Sequence, residues 1–192
     1  MLELSAPTTS LQIKNVGPFD LGRLARLHRS CFEDAWSRSD LAHLLAMPGA
    51  FGLIARLFER RRFDLEARRG VGFALCRLAA DESELLSLGV LPAYRRRGVA
   101  KALLAAAMIR SLHLGVRIMF LEVACDNVGA QRLYESFGFE RVGLRPDYYR
   151  LPDGRRRPAY TMRCDLIQAR RLLERDRQSL PPTPPRAGRL SG

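Results

Sequence analysis

Histidine, tryptophan and paired cysteine are scarce in this chain of 192 residues. Only three residues are His, and His28, His43 and His113 stand singly in helix-patterned stretches with no Asp, Glu or Cys at metal-ligand spacing. No metal site is expected from them. The four cysteines, Cys31, Cys76, Cys125 and Cys164, lie far apart and fall inside apolar segments without a Cys-x-x-Cys pair. That spacing argues against a disulfide framework and reads as reduced thiols packed as small core residues. No apolar run is long enough to cross a bilayer, and Met1-Leu2-Glu3-Leu4-Ser5 lacks the basic start and hydrophobic core of a secretory signal. The expectation is a cytoplasmic protein with no membrane partner.

Acidic residues are also in short supply: 20 Asp and Glu stand against 32 Lys and Arg, a formal net charge of +12. An excess of that size points to an anionic partner, whether a polyphosphate cofactor, RNA, a ribosomal surface or a membrane face, and does not choose among them. Much of it sits in Arg60-Arg61-Arg62, Arg68-Arg69, Arg95-Arg96-Arg97 and Arg155-Arg156-Arg157. Such runs are usually solvated turns. The run before Gly98 alone adjoins a motif.

What is there is a regular alternation of elements in a chain of one-domain length. Leu11 to Val16 reads as a strand, followed by an amphipathic helix on Leu21, Leu24, Leu27 and Phe32 with Asp20 as N-cap. A short helix from Ser39 to Met47, capped by Ser39, ends before Pro48-Gly49. Phe51 to Phe58 and Val71 to Leu78 form a hairpin with a long basic loop, Glu59 to Gly70; Leu85 to Val90 is the next strand. A largely buried helix runs from Gly98 to Leu114, Ile118 to Ala124 is a strand, and Asn127 to Phe137 a helix with Gly138 past its end. Strands near Phe139 to Tyr149 and Pro158 to Asp165 are joined through Asp153-Gly154. The pattern implies a mixed sheet flanked by helices. Beyond Leu166 a basic helical extension to Gln178 gives way to Pro181-Pro182-Thr183-Pro184-Pro185, which forbids regular structure to Gly192; it reads as a solubilising extension or a tether for RNA.

Three places carry chemistry. Leu88-Gly89-Val90 runs through a basic turn into a helix at Gly98, and free backbone N–H groups at a helix start hold an anion without dedicated side chains. Glu122 stands between Leu121 and Val123, where an ionised carboxylate is costly unless paired or used; it is either an edge-exposed strand residue or a base. Tyr134 is a core aromatic with a wet hydroxyl or a proton donor, and Asn127 is a helix N-cap, a ligand contact or both.

Taken together, Arg95-x-x-Gly98-x-Ala100, Leu121-Glu122-Val123, Asn127 and Leu133-Tyr134-Glu135-Ser136-Phe137-Gly138-Phe139 resemble the GNAT superfamily of acetyl-CoA-dependent N-acetyltransferases, over roughly Leu11 to Asp165. With Trp36-Ser37 and Tyr148-Tyr149, the chain is further similar to the bacterial ribosomal-protein alanine N-acetyltransferases. Ala100 stands where the fingerprint has its second glycine, a replacement the pattern admits. The resemblance implies an α/β fold whose mostly antiparallel sheet splays between its fourth and fifth strands, with residues 1–10 as an N-terminal extension, 11–165 as the acetyltransferase domain and 166–192 as a basic, Pro-rich tail. It implies acetyl-CoA as co-substrate, its pyrophosphate cradled across Arg95, Arg96, Arg97, Gly98, Val99, Ala100 and Lys101. Leu88, Gly89 and Val90 would flank the thioester, with an N–H near Val90 facing the oxyanion, and Asn127 would contact the CoA arm. Glu122 corresponds to the general base and Tyr134 to the general acid, while Trp36, Tyr148 and Tyr149 fall at the substrate.

The implied partner is the N-terminus of a ribosomal or other protein, with nucleic-acid contact only through the tail. Two consecutive tyrosines in a strand ordinarily pack on opposite faces, which is the plainer reading of Tyr148 and Tyr149. An acetyltransferase for lysine or a small amine is the nearest alternative function. A non-catalytic CoA- or ribosome-binding module would keep Gly98 yet need neither Glu122 nor Tyr134.

Overall fold

The computed structural model describes residues 9–60, 66–150 and 154–170. Seven strands form one sheet in the order β1-β2-β3-β4-β5-β7-β6: β1 Thr9–Asn15, β2 Ala50–Arg60, β3 Glu66–Ala79, β4 Glu82–Val90, β5 Ile118–Ala124, β6 Glu140–Arg150 and β7 Arg156–Asp165. Every neighbouring pair is antiparallel except β4 and β5. That parallel pair is bridged by helix α3, Val99–His113, since parallel neighbours need a long crossover.

Two apolar layers hold the sheet. α3 is buried along most of its circumference, and Leu103, Leu104 and Met108 are fully enclosed with Met119, Leu121 and Met162 of the sheet. On the opposite face α1, Leu21–Cys31, and α2, Arg38–Ala46, press Leu24, Leu27 and Leu41 onto Ile54, Phe73 and Leu75. Each such side chain contributes about 1.5–3 kcal/mol by leaving water. Helix α4, Val128–Glu135, follows β5 and buries Gln131 and Tyr134.

Pairing between β4 and β5 runs only from Glu82 with Ile118 to Leu85 with Leu121. There the β3–β4 ladder slips: Leu75 faces Ser87 while Cys76 faces Leu85, so Leu86 is an extra residue in β4. A bulge bends its strand. Beyond it β4 follows β3 and β5 follows β7, leaving a wedge between Ser87–Val90 and Glu122–Ala124 and giving the implied splay its local cause.

Several expectations shift. Asp20 makes no capping bond to α1; nearly buried, it accepts the Gly17 N–H at 3.2 Å and pairs with Arg23 at 2.8 Å and Arg56 at 2.6 Å. Buried carboxylates take cations in preference to caps because desolvation must be offset. Ser37, not Ser39, caps α2, in a reciprocal box with Asp40. Most of the connection Glu59 to Gly70 is strand: β2 and β3 pair as far as Arg60 with Glu66, leaving 61–65 outside the described residues. Backbone pairing extends this hairpin past the point where apolar side chains stop marking it. β1 takes in Thr9 and Ser10 of the leading extension, β4 begins at Glu82, and α4 ends at Glu135. The connection 151–153 and the tail beyond 170 lie outside the described residues, though 166–170 are helical.

Candidate active site

α3 starts as an anion-binding helix should. Its N-cap, Gly98, has φ of +76°, a left-handed conformation that a side chain would strain, and a Cβ there would meet only open space. No side chain caps the first turn and no acidic residue lies in it, so N–H groups at the positive end of the dipole face outward. Arg96, also left-handed at φ +61°, and Arg97 flank the turn, exposed, with Arg97 stacked on Tyr94. Lys101 lies 5.9 Å from the centroid of the Phe137 ring. Val99 is buried at 3%, leaving its backbone alone for a ligand. A pyrophosphate fits this donor set: backbone donors, two exposed guanidiniums and no acidic residue in the first turn of the helix.

Arg95 turns the other way. Its Nε donates to the Val90 carbonyl at 3.1 Å, inside the wedge. Leu91 N–H bonds Val71 across β3 at 2.9 Å, so by strand alternation the N–H and carbonyl of Val90 point toward β5. Backbone groups are thus presented to the gap. Gly89 has a packing reason as well as a binding one, because a Cβ there would lie 2.6 Å from the Phe73 ring and 3.1 Å from Cys31 Cβ.

Across the wedge, β5 places Glu122 among apolar neighbours with its side chain about nine-tenths buried. Oε1 accepts from Arg145 Nη1 at 2.5 Å, and Oε2 is buried without a hydrogen-bond partner. Tyr149 donates its hydroxyl to the Glu122 carbonyl at 3.3 Å. Burial, then the neighbouring Glu122 carboxylate, raises the proton affinity of the Tyr148 hydroxyl. The two tyrosines therefore do not part to opposite faces: their rings meet edge to face at 4.7 Å around one residue. The cause is an irregularity in β6, whose pairing with β7 slips between Arg145 and Tyr149, around Pro146.

Tyr134 comes to the same region from α4, 7% exposed, its ring 5.8 Å from Phe139. Burial, then the nearby Tyr149, pushes its hydroxyl well above the usual tyrosine range, so it keeps its proton at any physiological pH. Gln131, three residues earlier, bolts this helix to β5. Its Nε2 donates to Ala124 and Cys125 carbonyls at 3.0 Å each, and its Oε1 accepts from Arg141 at 2.9 Å.

Glu122, Tyr134, Tyr148 and Tyr149 are thus brought together. Asn127 caps α4, its Oδ1 accepting from Ala130 N–H at 3.2 Å, and its side chain is exposed. Trp36 packs on the α1–α2 side, stacked 5.0 Å from His28, whose Nδ1 accepts the Trp36 backbone N–H at 3.2 Å. Burial holds His28 below its ordinary pKa, favouring the neutral ring this bond requires. Arg145, which bonds Glu122, and Gln131, which anchors α4 to β5, are not singled out by the sequence reading. The one available signal is the tyrosine pair: an arginine three residues before it, separated by a proline, can reach back along the same strand face.

A sheet opened between a parallel pair, with an uncapped helix start at one end and a buried acid and tyrosine at the other, defines an acyl-transfer fold using a phosphate-bearing donor. The chain belongs to the acetyltransferase (GNAT) family, whose model matches residues 21–139. Family members use acetyl-CoA as co-substrate, and the chain is an acetyl-CoA-dependent N-acetyltransferase. It is 33% identical over 150 residues to the [ribosomal protein bS18]-alanine N-acetyltransferase of Haemophilus ducreyi, covering 78% of this chain and 97% of that protein. The N-alpha-acetyltransferase RimI of Mycobacterium tuberculosis is 34% identical over 171 residues, 84% of this chain and 97% of that protein. Among solved structures, the ribosomal-protein-S18-alanine N-acetyltransferase of Escherichia coli superposes with a TM-score of 0.69 at 26% identity, over 81% of this chain and 94% of that one. No helix among the described residues is long and apolar enough to cross a membrane.

Proposed function

We propose that this enzyme acetylates the N-terminal α-amine of an alanine-starting ribosomal protein by direct attack, with Glu122 as proton acceptor and Tyr134 as proton donor. The observation that carries this reading is the convergence of a buried carboxylate, a buried protonated phenol and two half-exposed tyrosines where β4 and β5 part. The relatives' names supply the substrate class.

Acetyl-CoA, when bound, supplies an activated acyl carbon and a thiolate leaving group; Arg96, Arg97, Lys101 and the N–H groups of the α3 first turn would hold its phosphates. An α-amine is largely protonated at neutral pH and cannot attack until it loses a proton. Glu122 accepts that proton, directly or through water. The Val90 N–H, turned into the wedge, is placed to stabilise charge developing on the acyl oxygen. Tyr134 delivers its proton toward the departing sulfur and is rebuilt from solvent. Tyr148 and Tyr149 flank the carboxylate and offer hydroxyls to the backbone of an entering peptide. No covalent acyl-enzyme is needed, and Cys125 is left as a neighbour.

The test is thiol release from acetyl-CoA with peptides differing only in their first residues, run beside Glu122→Gln and Tyr134→Phe. Alanine-starting peptides should turn over fastest. Equal rates on free lysine side chains would overturn the N-terminal specificity, and full activity in both variants would overturn the proton-transfer assignment.

A further inference from the structure

The cation on Glu122 is bound as though it were meant to be exchanged. Burying a carboxylate is costly unless a cation meets it, and among the described residues Arg145 supplies that cation at 2.5 Å. Yet the Arg145 side chain is 60% exposed and reaches Glu122 through a single hydrogen bond to Oε1, resting 4.9 Å over the Tyr148 ring. It comes from the stretch of β6 where pairing to β7 is interrupted. Tyr148 and Tyr149 flank the carboxylate from β6, Thr161 stands opposite on β7, Tyr134 lies behind Tyr149, and Glu84 of β4 adds a like charge near Arg145 and Tyr148.

Oε2 is enclosed and without a partner, so an entering α-ammonium meets the carboxylate at Oε1, the oxygen that Arg145 occupies. A guanidinium can neutralise a carboxylate without surrendering a proton to it, because it stays protonated in proteins. An ammonium in the same place can surrender one. We propose that Arg145 is a positioning residue that stands in for the substrate's cation: it balances Glu122 until an amine arrives, then yields Oε1 to it and keeps its place over Tyr148. The exchange favours substrates that bring their own charge to that oxygen, and so selects a free N-terminus over a blocked one. This rests on Glu122 being the proton acceptor.

Arg145→Ala and Arg145→Gln are measured with an alanine-starting peptide and acetyl-CoA. Because the Arg145 end of the pair is open to solvent, its loss should lower the peptide KM about two- to fivefold, while the acetyl-CoA KM holds. Arg145→Lys should restore the higher peptide KM. Methylguanidinium, added as a free cation, should compete with peptide more strongly in Arg145→Ala than in the unmodified enzyme. A peptide KM that rises would make Arg145 a peptide-binding residue, and one that stays put would make it a bystander; either overturns the proposal. Binding gives a readout without turnover. The Arg145 guanidinium NMR resonance should move when the alanine-starting peptide is added and stay when its N-terminus is acetylated, and equal behaviour with both sinks the idea. Glu122→Gln on the same peptide separates the two claims: retained turnover removes the proton acceptor itself, whereas lost turnover with an unchanged Arg145→Ala leaves the acceptor and removes only the stand-in.

Discussion

A carboxylate between Leu121 and Val123 takes its chemistry from what crosses β7 to reach it. Glu122→Gln keeps the shape and the acceptor for Arg145 but cannot take a proton, so kcat/KM should fall about 100- to 10,000-fold. Tyr134→Phe should cost a comparable factor, read in kcat. Since burial raises the Tyr134 hydroxyl above its ordinary value, this donor stays protonated as pH rises, and its loss of function should begin above the usual tyrosine range of about 10. A kcat that declines well below that point would assign the donor elsewhere. Both residues stand out as polar groups on buried elements, but the residues alone leave each with a structural alternative, and only the resemblance carried by the surrounding motifs assigns them roles. Arg145 was not legible: it is one arginine among many, and only the cross-strand register, with Arg145 opposite Ala159 and Glu122 opposite Thr161 on β7, puts it on the Glu122 face. Arg95 was legible as part of a basic turn but not in its direction, which the open edge of Val90 decides.

Elements place these side chains, and two fastenings can be tested. Gln131 joins α4 to the end of β5 through two carbonyl bonds, one buried and one part-buried. Gln131→Leu should lower stability by about 2 kcal/mol, since the Cys125 carbonyl loses its donor while Arg141 keeps Glu135, and should depress kcat by letting Tyr134 drift from Glu122. Denaturant midpoints beside kcat at saturating substrates check both parts. His28 fastens α1 to the α1–α2 connection through the Trp36 N–H, and burial lowers its pKa from 6.5. The sign follows from linkage: below about 6.5 the unfolded chain takes up a proton that the folded ring resists, so this stability is present above that pH and is lost as pH falls toward the folded value. Melting temperature should therefore fall between about pH 7 and pH 5, and His28→Leu should flatten that slope while lowering the plateau. Element types were legible from period, whereas boundaries failed where backbone bonding outruns the side-chain pattern. The β2–β3 hairpin continues through charged residues, and Ser37 wins the α2 cap because Asp40, three residues on, completes its box.

At the scale of the molecule, the alternation of elements foretold a mixed sheet, but the wedge rests on one extra residue, Leu86, in a ladder whose register no local pattern reveals. The charge of +12 is a similar case. The total is legible and its meaning is not, because Arg157 pairs with Asp126 while Arg96, Arg97 and Lys101 stand at the α3 start and Arg69 reaches Tyr94 beside it. Salt separates the two kinds. Screening shortens from about 10 Å at 0.1 M to about 3 Å at 1 M, so exposed guanidiniums lose their hold on a pyrophosphate while backbone N–H bonds at contact distance keep theirs. The KM for acetyl-CoA should rise several-fold between about 0.05 and about 0.5 M salt. Arg96→Ala and Arg97→Ala should each raise it at low salt and flatten its salt dependence, whereas Arg117→Ala, at the far end of the α3–β5 crossover, should leave the slope alone. A slope that responds equally to all three would mean that the cofactor feels the net charge of the chain; a slope confined to Arg96 and Arg97 would place the working charge at the one basic turn that opens into a helix.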